Sequence, residues 1–348
     1  MLVYWLLFAF FAVGALATQP QSTEGRRATY PLLAVGSLII ALLVGVRYEV
    51  GADWRTYGFM FEYARHTDMA GALRIGDPGY QLLNYFVQQL DYEIWLVNLV
   101  CGLLFAWGFY RFVTAQPDPW LAALVGVPYL VVVVAMGYSR QAVAIGLLMA
   151  GLASLQRGGS LVRFAVYVAA AALFHKTAVV AFPLVVISGG RNRFLNMLFG
   201  AATFVLLYDF FLGDSVEQFV SRYVETEYSS QGAAIRVAMN LVPAVLFLLA
   251  YRRFQLTERD YYILRNFSLA ALGFLVLLIV VPSSTAVDRM ALYVMPLQLA
   301  VLSRVPGSLM SVGTGKLAVV GYCLLIQFVW LNYAQHAQYW LPYQFYPM

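Results

Sequence analysis

Four cationic side chains of this sequence lie where apolar stretches end, and together they could bind an anion. They are Arg47 before Gly51-Ala52-Asp53-Trp54, Arg140 in Gly137-Tyr138-Ser139-Arg140-Gln141, Lys176 in Phe174-His175-Lys176-Thr177, and Arg289 after Asp288. The charge distribution described below assigns all four to the side of a membrane where Lys and Arg are normally scarce. We therefore predict that they bind an anion there, with a lipid-linked pyrophosphate as the first candidate.

A pyrophosphate leaving group would give these cations a chemical role. When it departs from an anomeric carbon, negative charge develops on its oxygens, and fixed Arg and Lys side chains can stabilise that charge without a metal ion. The attacking sugar hydroxyl needs a base within hydrogen-bond reach. Asp53, His175 and Asp77 are the candidates, and the sequence does not choose among them.

Most of these residues also have a purely structural interpretation. Arg47 could extend to the headgroup level as an anchor, and His175 could be a hydrogen-bonded packing residue. Asp288 and Arg289 could form an ion pair at a helix end. Arg140 is harder to explain in this way, because it follows a fully apolar stretch with almost no loop. A charge near mid-membrane costs on the order of 3 kcal/mol, so Arg140 should have a partner or line a water-filled cavity.

Aromatic and acidic residues of the polar segments have two interpretations each. The aromatic side chains could stack on sugar rings, or they could form an interfacial aromatic belt. They are Trp54, Tyr57, Tyr80, Trp340 and Tyr343. The D-x-E spacing of Asp91-Tyr92-Glu93 can hold a divalent metal, but a helix N-cap is the simpler interpretation. We therefore predict a metal-independent site and no cofactor.

The composition indicates an all-α polytopic membrane protein. Hydrophobic residues make up 62% of the 348, and charged residues only 11%, against roughly 25% charged in soluble domains. The pattern does not favour a β-barrel, because its strands would alternate apolar and polar residues, whereas stretches such as Leu121 to Met136 are apolar throughout. Apolar stretches of bilayer-spanning length predict about twelve transmembrane helices, centred near Leu7, Ile39, Leu103, Val131, Leu148, Val168, Val185, Val205, Leu246, Val276, Leu297 and Leu325.

The loops between these helices differ in charge. If the N-terminus is outside, the inner loops hold most of the Lys and Arg residues and few acidic ones, and the outer loops are net negative. Among the inner basic residues are Arg111, Arg157, Arg191, Arg253 and Arg304. The positive-inside rule therefore predicts that both termini lie outside.

We predict one integral membrane domain over residues 1–348, with two polar outer-face segments at 47–92 and 213–236. In the first segment, Asp77 followed by Pro78 predicts a helix start, and an apolar face follows with Tyr80, Leu83, Val87 and Leu90. The second segment has a similar face with Val216, Phe219, Val220 and Tyr223. Two amphipathic helices in the interface plane would frame a cavity that opens outward.

The order of these motifs resembles the EpsG-type exopolysaccharide polymerases over nearly the whole chain. The resemblance rests on six pieces: Arg47 to Trp54 with Tyr57, Asp77-Pro78-Gly79-Tyr80, Ser139-Arg140-Gln141, Phe174-His175-Lys176-Thr177, Arg289 with Tyr293, and Trp340-Leu341-Pro342-Tyr343. One departure is Asp77, where Glu is expected more often in the family. Asp keeps the carboxylate but shortens its reach.

The resemblance implies a function similar to that of the Wzy polymerases. Such an enzyme would transfer a growing glycan from undecaprenyl pyrophosphate to a hydroxyl of the next lipid-linked repeat unit, at the outer face of the bacterial cytoplasmic (inner) membrane. It would have the GT-C glycosyltransferase architecture. The catalytic residues would be Asp53, His175 and Arg140, and the substrate-binding residues Arg47, Asp77, Tyr80, Gln141, Lys176, Arg289, Trp54 and Tyr57.

The expected partners follow from the same resemblance. They are the undecaprenyl-pyrophosphate-linked oligosaccharide, the lipid bilayer, and other polysaccharide export and chain-length proteins, with no nucleic acid. Two alternatives stay open at this point. A ligase would move a finished glycan to a different acceptor, and the sequence does not separate it from a polymerase. A transporter or flippase would favour inverted repeats and polar residues along a mid-membrane path, and the sequence has neither.

Overall fold

The computed structural model describes residues 1–18, 23–186, 193–212, 232–281 and 284–347. Regular structure within these ranges is helical, and no strand is present there, which confirms the all-α prediction. The helices are α1 (Leu2–Ala17), α2 (Thr23–Ala28), α3 (Tyr30–Gly45), α4 (Trp54–Arg65), α5 (Met69–Arg74), α6 (Pro78–Gln89), α7 (Ile94–Val113), α8 (Pro119–Gly126), α9 (Ser139–Gln156), α10 (Leu161–Phe174), α11 (Phe182–Val186), α12 (Arg193–Leu212), α13 (Ala233–Ala250), α14 (Glu258–Val280), α15 (Ser284–Ala291), α16 (Pro296–Leu302), α17 (Val305–Ser308) and α18 (Val312–Tyr333). Shorter 3₁₀ segments are Lys176–Ala181, Tyr251–Arg253, Leu292–Val294 and Gln335–Tyr339, and Val127–Ala135 is a π-helix.

Several of the described helices can cross a membrane. Four are long and apolar enough: Ile94–Val113, Ala233–Arg253, Glu258–Val280 and Val312–Tyr333. A fifth candidate is the pair Ser284–Val294 and Pro296–Leu302, which is bent by 44°. Each of the twelve predicted centres lies inside a helical element, but several of these elements are only 10–17 residues long. The protein is therefore a multi-pass membrane protein, and the count of twelve spans stays a prediction.

Helix α9 forms the centre of the bundle. It packs against α7 and α10, and every side chain from Gln141 to Leu155 is buried. The approach of α7 to α9 is close, because a Cβ atom at Gly108 would overlap the carbonyl oxygen of Gly146. Small residues at such contacts are typical of membrane helix bundles. The central position of α9 fixes Arg140, in its first turn, relative to the surrounding helices.

A break in the chain exposes the start of α9. The helix that begins at Pro119 continues past Pro128 as the π-helix Val127–Ala135, because proline lacks the N–H group that an α-helical hydrogen bond needs. Helical structure is interrupted at Tyr138, and α9 begins at Ser139. The backbone interruption leaves Arg140 partly exposed at the end of the bundle.

Residues predicted to lie on the same side of the membrane meet at the same end of the bundle. Arg157, at the end of α9, donates to the carbonyl oxygen of Arg111 at 3.1 Å. Arg304 donates to Oε1 of Gln116 at 2.7 Å. The four cations discussed first lie at the opposite end, where α9 begins. This grouping agrees with the predicted loop sides, while the orientation of the bundle in a membrane stays a prediction.

Helix α6 begins at the predicted residue and buries polar side chains as well as apolar ones. Its first residue is Pro78, with Asp77 at the N-cap. Leu90, predicted on the apolar face, is 64% exposed. Tyr80 and Val87 of that face are buried, and the polar residues Gln81 and Asn84, predicted to lie elsewhere on the helix, are buried with them. Most of the second outer segment lies outside the described residues, including its predicted helix at Val216, Phe219, Val220 and Tyr223.

Candidate active site

Asp77 joins three elements of the predicted site. Its carboxylate accepts a hydrogen bond from Nη1 of Arg140 at 2.8 Å and another from the backbone N–H of Lys176 at 3.1 Å. Although Asp77 is the N-cap residue of α6, its side chain makes no capping hydrogen bond. The carboxylate instead holds the first turn of α9 and the turn after α10 against the start of α6.

A second, longer pair joins Asp53 and Arg289. Their closest oxygen and nitrogen atoms are 3.9 Å apart, and the two side chains are 25% and 35% exposed. Gln141 donates from Nε2 to the backbone carbonyl of Arg289 at 2.5 Å, which fixes α15 against α9. Asp53 also lies within electrostatic range of Arg140. The two pairs therefore form one group, and we call Arg140, Lys176 and Arg289 the cation cluster.

The surroundings of both carboxylates raise their pKa. Burial is the largest effect on the pKa of Asp53, and it outweighs the opposing effects of Arg289 and Arg140. Burial likewise raises the pKa of Asp77 above its usual value, against the opposing effect of Arg140 and Lys176. A raised pKa makes a carboxylate a stronger base than one in water. Asp77 is buried and hydrogen-bonded, whereas Asp53 is partly exposed, so Asp53 is better placed to accept a proton from a ligand.

His175 follows α10 and takes part in a chain of hydrogen bonds. Its Nδ1 atom lies 3.1 Å from Oγ1 of Thr177, which in turn lies 3.1 Å from the hydroxyl of Tyr293. Burial, together with the positive charges of Arg140 and Arg289, lowers the pKa of His175 to about 3. The imidazole is therefore neutral near pH 7. Thr177 and Tyr293 were named in the sequence only as parts of motifs, and the structure brings them into contact with His175.

Several buried polar atoms beneath the cation cluster lack a hydrogen-bond partner among the described residues. They are the Tyr80 hydroxyl, Nε2 of Gln81, Oδ1 of Asn84 and Nε of Arg140. A buried polar group without a partner costs about 1–3 kcal/mol. Natural structures normally satisfy such groups with protein, ordered water or a ligand. The concentration of these atoms around Arg140 is typical of a binding site.

Arg47 lies beneath this site. Its side chain is buried and only 1% exposed. Its guanidinium donates to Oδ1 of Asn98 at 3.1 Å and to Oγ of Ser139 at 2.6 Å. It also donates to the backbone carbonyls of Val44 and Val50. The interpretation of Arg47 as an anchor extended to the headgroups is therefore wrong. Arg47 joins the end of α3 to α7 and to the start of α9.

The predicted aromatic residues differ in exposure. Tyr57 and Tyr80 are buried and pack ring to ring at 5.4 Å, and the guanidinium of Arg140 lies 5.8 Å from the centre of the Tyr57 ring. Trp54 is partly exposed. Trp340 is buried and donates from its indole nitrogen to the carbonyl of Val132. Of these four rings, only that of Trp54 is partly exposed.

Comparison with known proteins now identifies the family. The family model described as EpsG matches residues 32–345, which include every residue of the site described above. The chain belongs to the EpsG family. No curated protein and no solved structure matches the chain. The resemblance inferred from the motif order is thus confirmed at the level of the family.

One ion pair of this EpsG protein was not anticipated from its sequence. Arg236, in the first turn of α13, donates from Nε and Nη2 to the two carboxylate oxygens of Asp288, both at 2.6 Å. The alternative interpretation that Asp288 pairs with Arg289 is therefore wrong, since Arg289 lies beside Asp53 instead. A sequence signal was available, because a charge in an apolar helix needs a partner.

The acidic motif Asp91-Tyr92-Glu93 lies apart from the EpsG site. Glu93 is the N-cap residue of α7, as predicted, but its side chain makes no capping hydrogen bond. Its carboxylate accepts a hydrogen bond from the hydroxyl of Tyr346 instead. In the described part of the chain, no group of three or more His, Cys, Asp or Glu side chains is placed to hold a metal ion.

Proposed function

We propose that this protein is a polysaccharide polymerase that transfers a growing glycan from undecaprenyl pyrophosphate to a hydroxyl of the next lipid-linked repeat unit. The observation that carries the proposal is the convergence of the cation cluster on two carboxylates, Asp77 and Asp53. Membership in the EpsG family supports an exopolysaccharide-related polymerase. We further propose a GT-C architecture, with the site at the outer face of the bacterial cytoplasmic membrane.

In the proposed reaction, an acceptor hydroxyl attacks the anomeric carbon of the donor glycan. The new glycosidic C–O bond forms as the bond between the anomeric carbon and the pyrophosphate oxygen breaks, and the electron pair leaves with the pyrophosphate. The hydroxyl proton passes to Asp53, whose raised pKa and partial exposure support its role as base. The cation cluster stabilises the charge that develops on the leaving group.

The other site residues have supporting roles in this proposal. Asp77 holds Arg140 and the backbone of Lys176 in position. His175, neutral at working pH, offers a hydrogen bond to the substrate and not a charge. Arg47 positions the start of α9 from below, and Trp54 stacks on a sugar ring. Gln141 fixes the backbone of Arg289.

The reaction is proposed to need no metal ion. The leaving pyrophosphate meets three cationic side chains, which supply the charge stabilisation that a divalent ion provides in other enzymes. The proposed partners are the lipid-linked oligosaccharide, the bilayer, and export and chain-length proteins of the same polysaccharide system.

The experiment is reconstitution of the purified protein in liposomes with a lipid-linked repeat unit and EDTA. The expected result is elongated glycan, with one lipid pyrophosphate released for each glycosidic bond formed. Transfer to a different acceptor without elongation would indicate a ligase, and movement of intact substrate across the bilayer would indicate a transporter. Activity that EDTA abolishes and magnesium or manganese restores would contradict metal independence.

A further inference from the structure

A groove lies beside the candidate site, between α13 and α18. It has a volume of about 540 Å³, and its walls include Val133 of the π-helix, Met239 of α13, and Ile326 and Val329 of α18. The volume is in the range of pockets that hold organic ligands. Most of the lining side chains are aliphatic or aromatic, unlike the charged site next to it.

The rim of this groove faces the surface that lipid would cover. Ile235 at one edge is 64% exposed, and Leu325 at the other is 59% exposed. Both side chains belong to helices capable of spanning a membrane. A ligand could therefore reach the groove sideways from the hydrocarbon layer without crossing water.

The length of the groove corresponds to one leaflet of a bilayer. Along α18 it extends from Tyr322 to Tyr333, which is about 16 Å at the helical rise per residue. The hydrocarbon core of a bilayer is about 30 Å thick. Tyr333 lies at the end of α18 that faces the candidate site, so the groove occupies the leaflet on the side of the site.

Polar side chains occur where the groove meets the site. Arg236 and His336 line this end, and Arg236 is held by Asp288. Tyr138 lines the same end and lies within electrostatic range of Asp53 and Arg289. The polar end of the groove thus lies next to the candidate site.

We propose that this groove binds the polyprenyl chain of the lipid-linked substrate, with the pyrophosphate at the cation cluster. The inference deepens the proposed function and rests on it for the identity of the head group. A long apolar chain attached to a compact polyanion matches an apolar groove that ends beside three cationic side chains. A phospholipid could also fill the groove, but it carries a single phosphate. The three cationic side chains Arg140, Lys176 and Arg289 match the higher negative charge of a pyrophosphate better.

The test uses the full-length protein in nanodiscs of phosphatidylethanolamine and phosphatidylglycerol. The probe is a polyprenyl pyrophosphate without sugar that carries a photoreactive diazirine on an isoprene unit near the head group. After irradiation, mass spectrometry should find the probe on peptides from residues 129–138, 233–240 and 322–333. An excess of unlabelled polyprenyl pyrophosphate should remove the labelling.

A matched pair of variants separates groove binding from general lipid contact. Val329→Trp adds a large side chain at a position that lines the groove and is 38% exposed, and the added bulk should reduce labelling at least about fivefold. Leu324→Trp makes the same kind of change on α18, at a position that is 48% exposed and does not line the groove. Labelling of this control should match the parent, and both variants should melt at the parental temperature.

Three results would overturn the groove assignment. They are labelling spread over the lipid-facing surface, labelling that unlabelled polyprenyl pyrophosphate does not compete, and equal labelling by a phosphatidylglycerol that carries the diazirine. Because the probe has no sugar, labelling does not depend on glycan transfer. Groove labelling without elongation would contradict only the polymerase proposal, whereas elongation without groove labelling would contradict only the inference made here.

Discussion

Asp77 accepts a hydrogen bond from Arg140 at 2.8 Å, although 63 positions separate the two residues in sequence. The pair connects α6, on the surface, to α9, the buried centre of the bundle. The same carboxylate accepts from the backbone of Lys176, so one acidic residue fixes two members of the cation cluster. Nε of Arg140 has no partner among the described residues, which leaves Arg140 with hydrogen-bonding capacity for a ligand.

The first prediction concerns Arg140. Arg140→Lys keeps the positive charge but loses the planar guanidinium that can contact two phosphate oxygens, so both it and Arg140→Ala should reduce glycan elongation. The loss of a transition-state donor typically costs on the order of a hundredfold to a thousandfold in rate. The measurement is the elongation rate in liposomes at matched amounts of membrane protein.

The control for this prediction is Arg74→Ala, because Arg74 is exposed at the end of α5. Its elongation rate should stay within a few-fold of the parent. Elongation by Arg140→Ala and Lys176→Ala variants at near-parental rates would show that the cation cluster is structural and does not bind pyrophosphate.

A second prediction separates the two candidate bases. Asp53→Asn keeps the size of the side chain but removes its basicity, so elongation should fall on the order of a hundredfold or more. His175→Gln should be milder, because the pKa of His175, lowered to about 3, makes it a weak base near pH 7. Steady-state elongation rates of the two variants test whether Asp53→Asn loses more activity than His175→Gln. A larger loss in His175→Gln would assign the base to His175.

The third prediction is a pH dependence of stability that comes from His175. Above the ordinary histidine pKa of 6.5 the imidazole is neutral in both states, and below it only the unfolded chain takes up a proton until the pH reaches about 3. Stability is therefore lost as the pH falls below 6.5, by at most about 1.4 kcal/mol at pH 5.5.

Melting curves in detergent at pH 7.5 and 5.5 test this expectation. His175→Gln, which cannot take up the proton, should lose less melting temperature between these pH values than the parent. Asp53 and Asp77 have raised pKa values and change stability in the opposite direction, so the comparison with the variant is essential. Identical pH dependence in parent and variant would contradict the low pKa of His175.

A fourth prediction distinguishes Arg47 from the cation cluster. Removing its buried guanidinium leaves acceptors on Asn98 and Ser139 without their donor, and each such group costs about 1–3 kcal/mol. Arg47→Ala should therefore lower the melting temperature and the yield of folded protein. Ser139→Ala, which removes one of these acceptors, is the milder companion variant. A parental melting temperature in Arg47→Ala, combined with inactive protein, would indicate a direct role in catalysis.

The fifth prediction concerns orientation in the membrane. In a background that lacks Cys101 and Cys323, both buried, an impermeant thiol reagent should label Ala52→Cys and Gln338→Cys from outside intact cells. Arg253→Cys should react only after the membrane is opened. All three positions are exposed. The reverse pattern would move the candidate site to the inner side and remove the basis for an outer-face polymerase.

Local features of this protein were predictable from the sequence. The apolar stretches predicted the helical membrane class, and each of the twelve predicted centres lies inside a helical element, because burial in lipid demands continuous apolar helices. The start of α6 followed from Pro78, since the fixed φ of proline favours the first position of a helix. The motif order indicated the EpsG family, and the family match confirmed it.

Contacts between distant segments were decided only by the tertiary structure. The sequence predicted that both Arg47 and Arg140 bind an anion, but packing buries Arg47 and leaves Arg140 beside Asp77. It also offered Asp288 as a partner for Arg289, whereas the helices bring Asp288 to Arg236. Helix formation depends on hydrogen bonds between residues four apart, and the pairing of charges depends on which helices pack together. Sequence spacing does not encode that information.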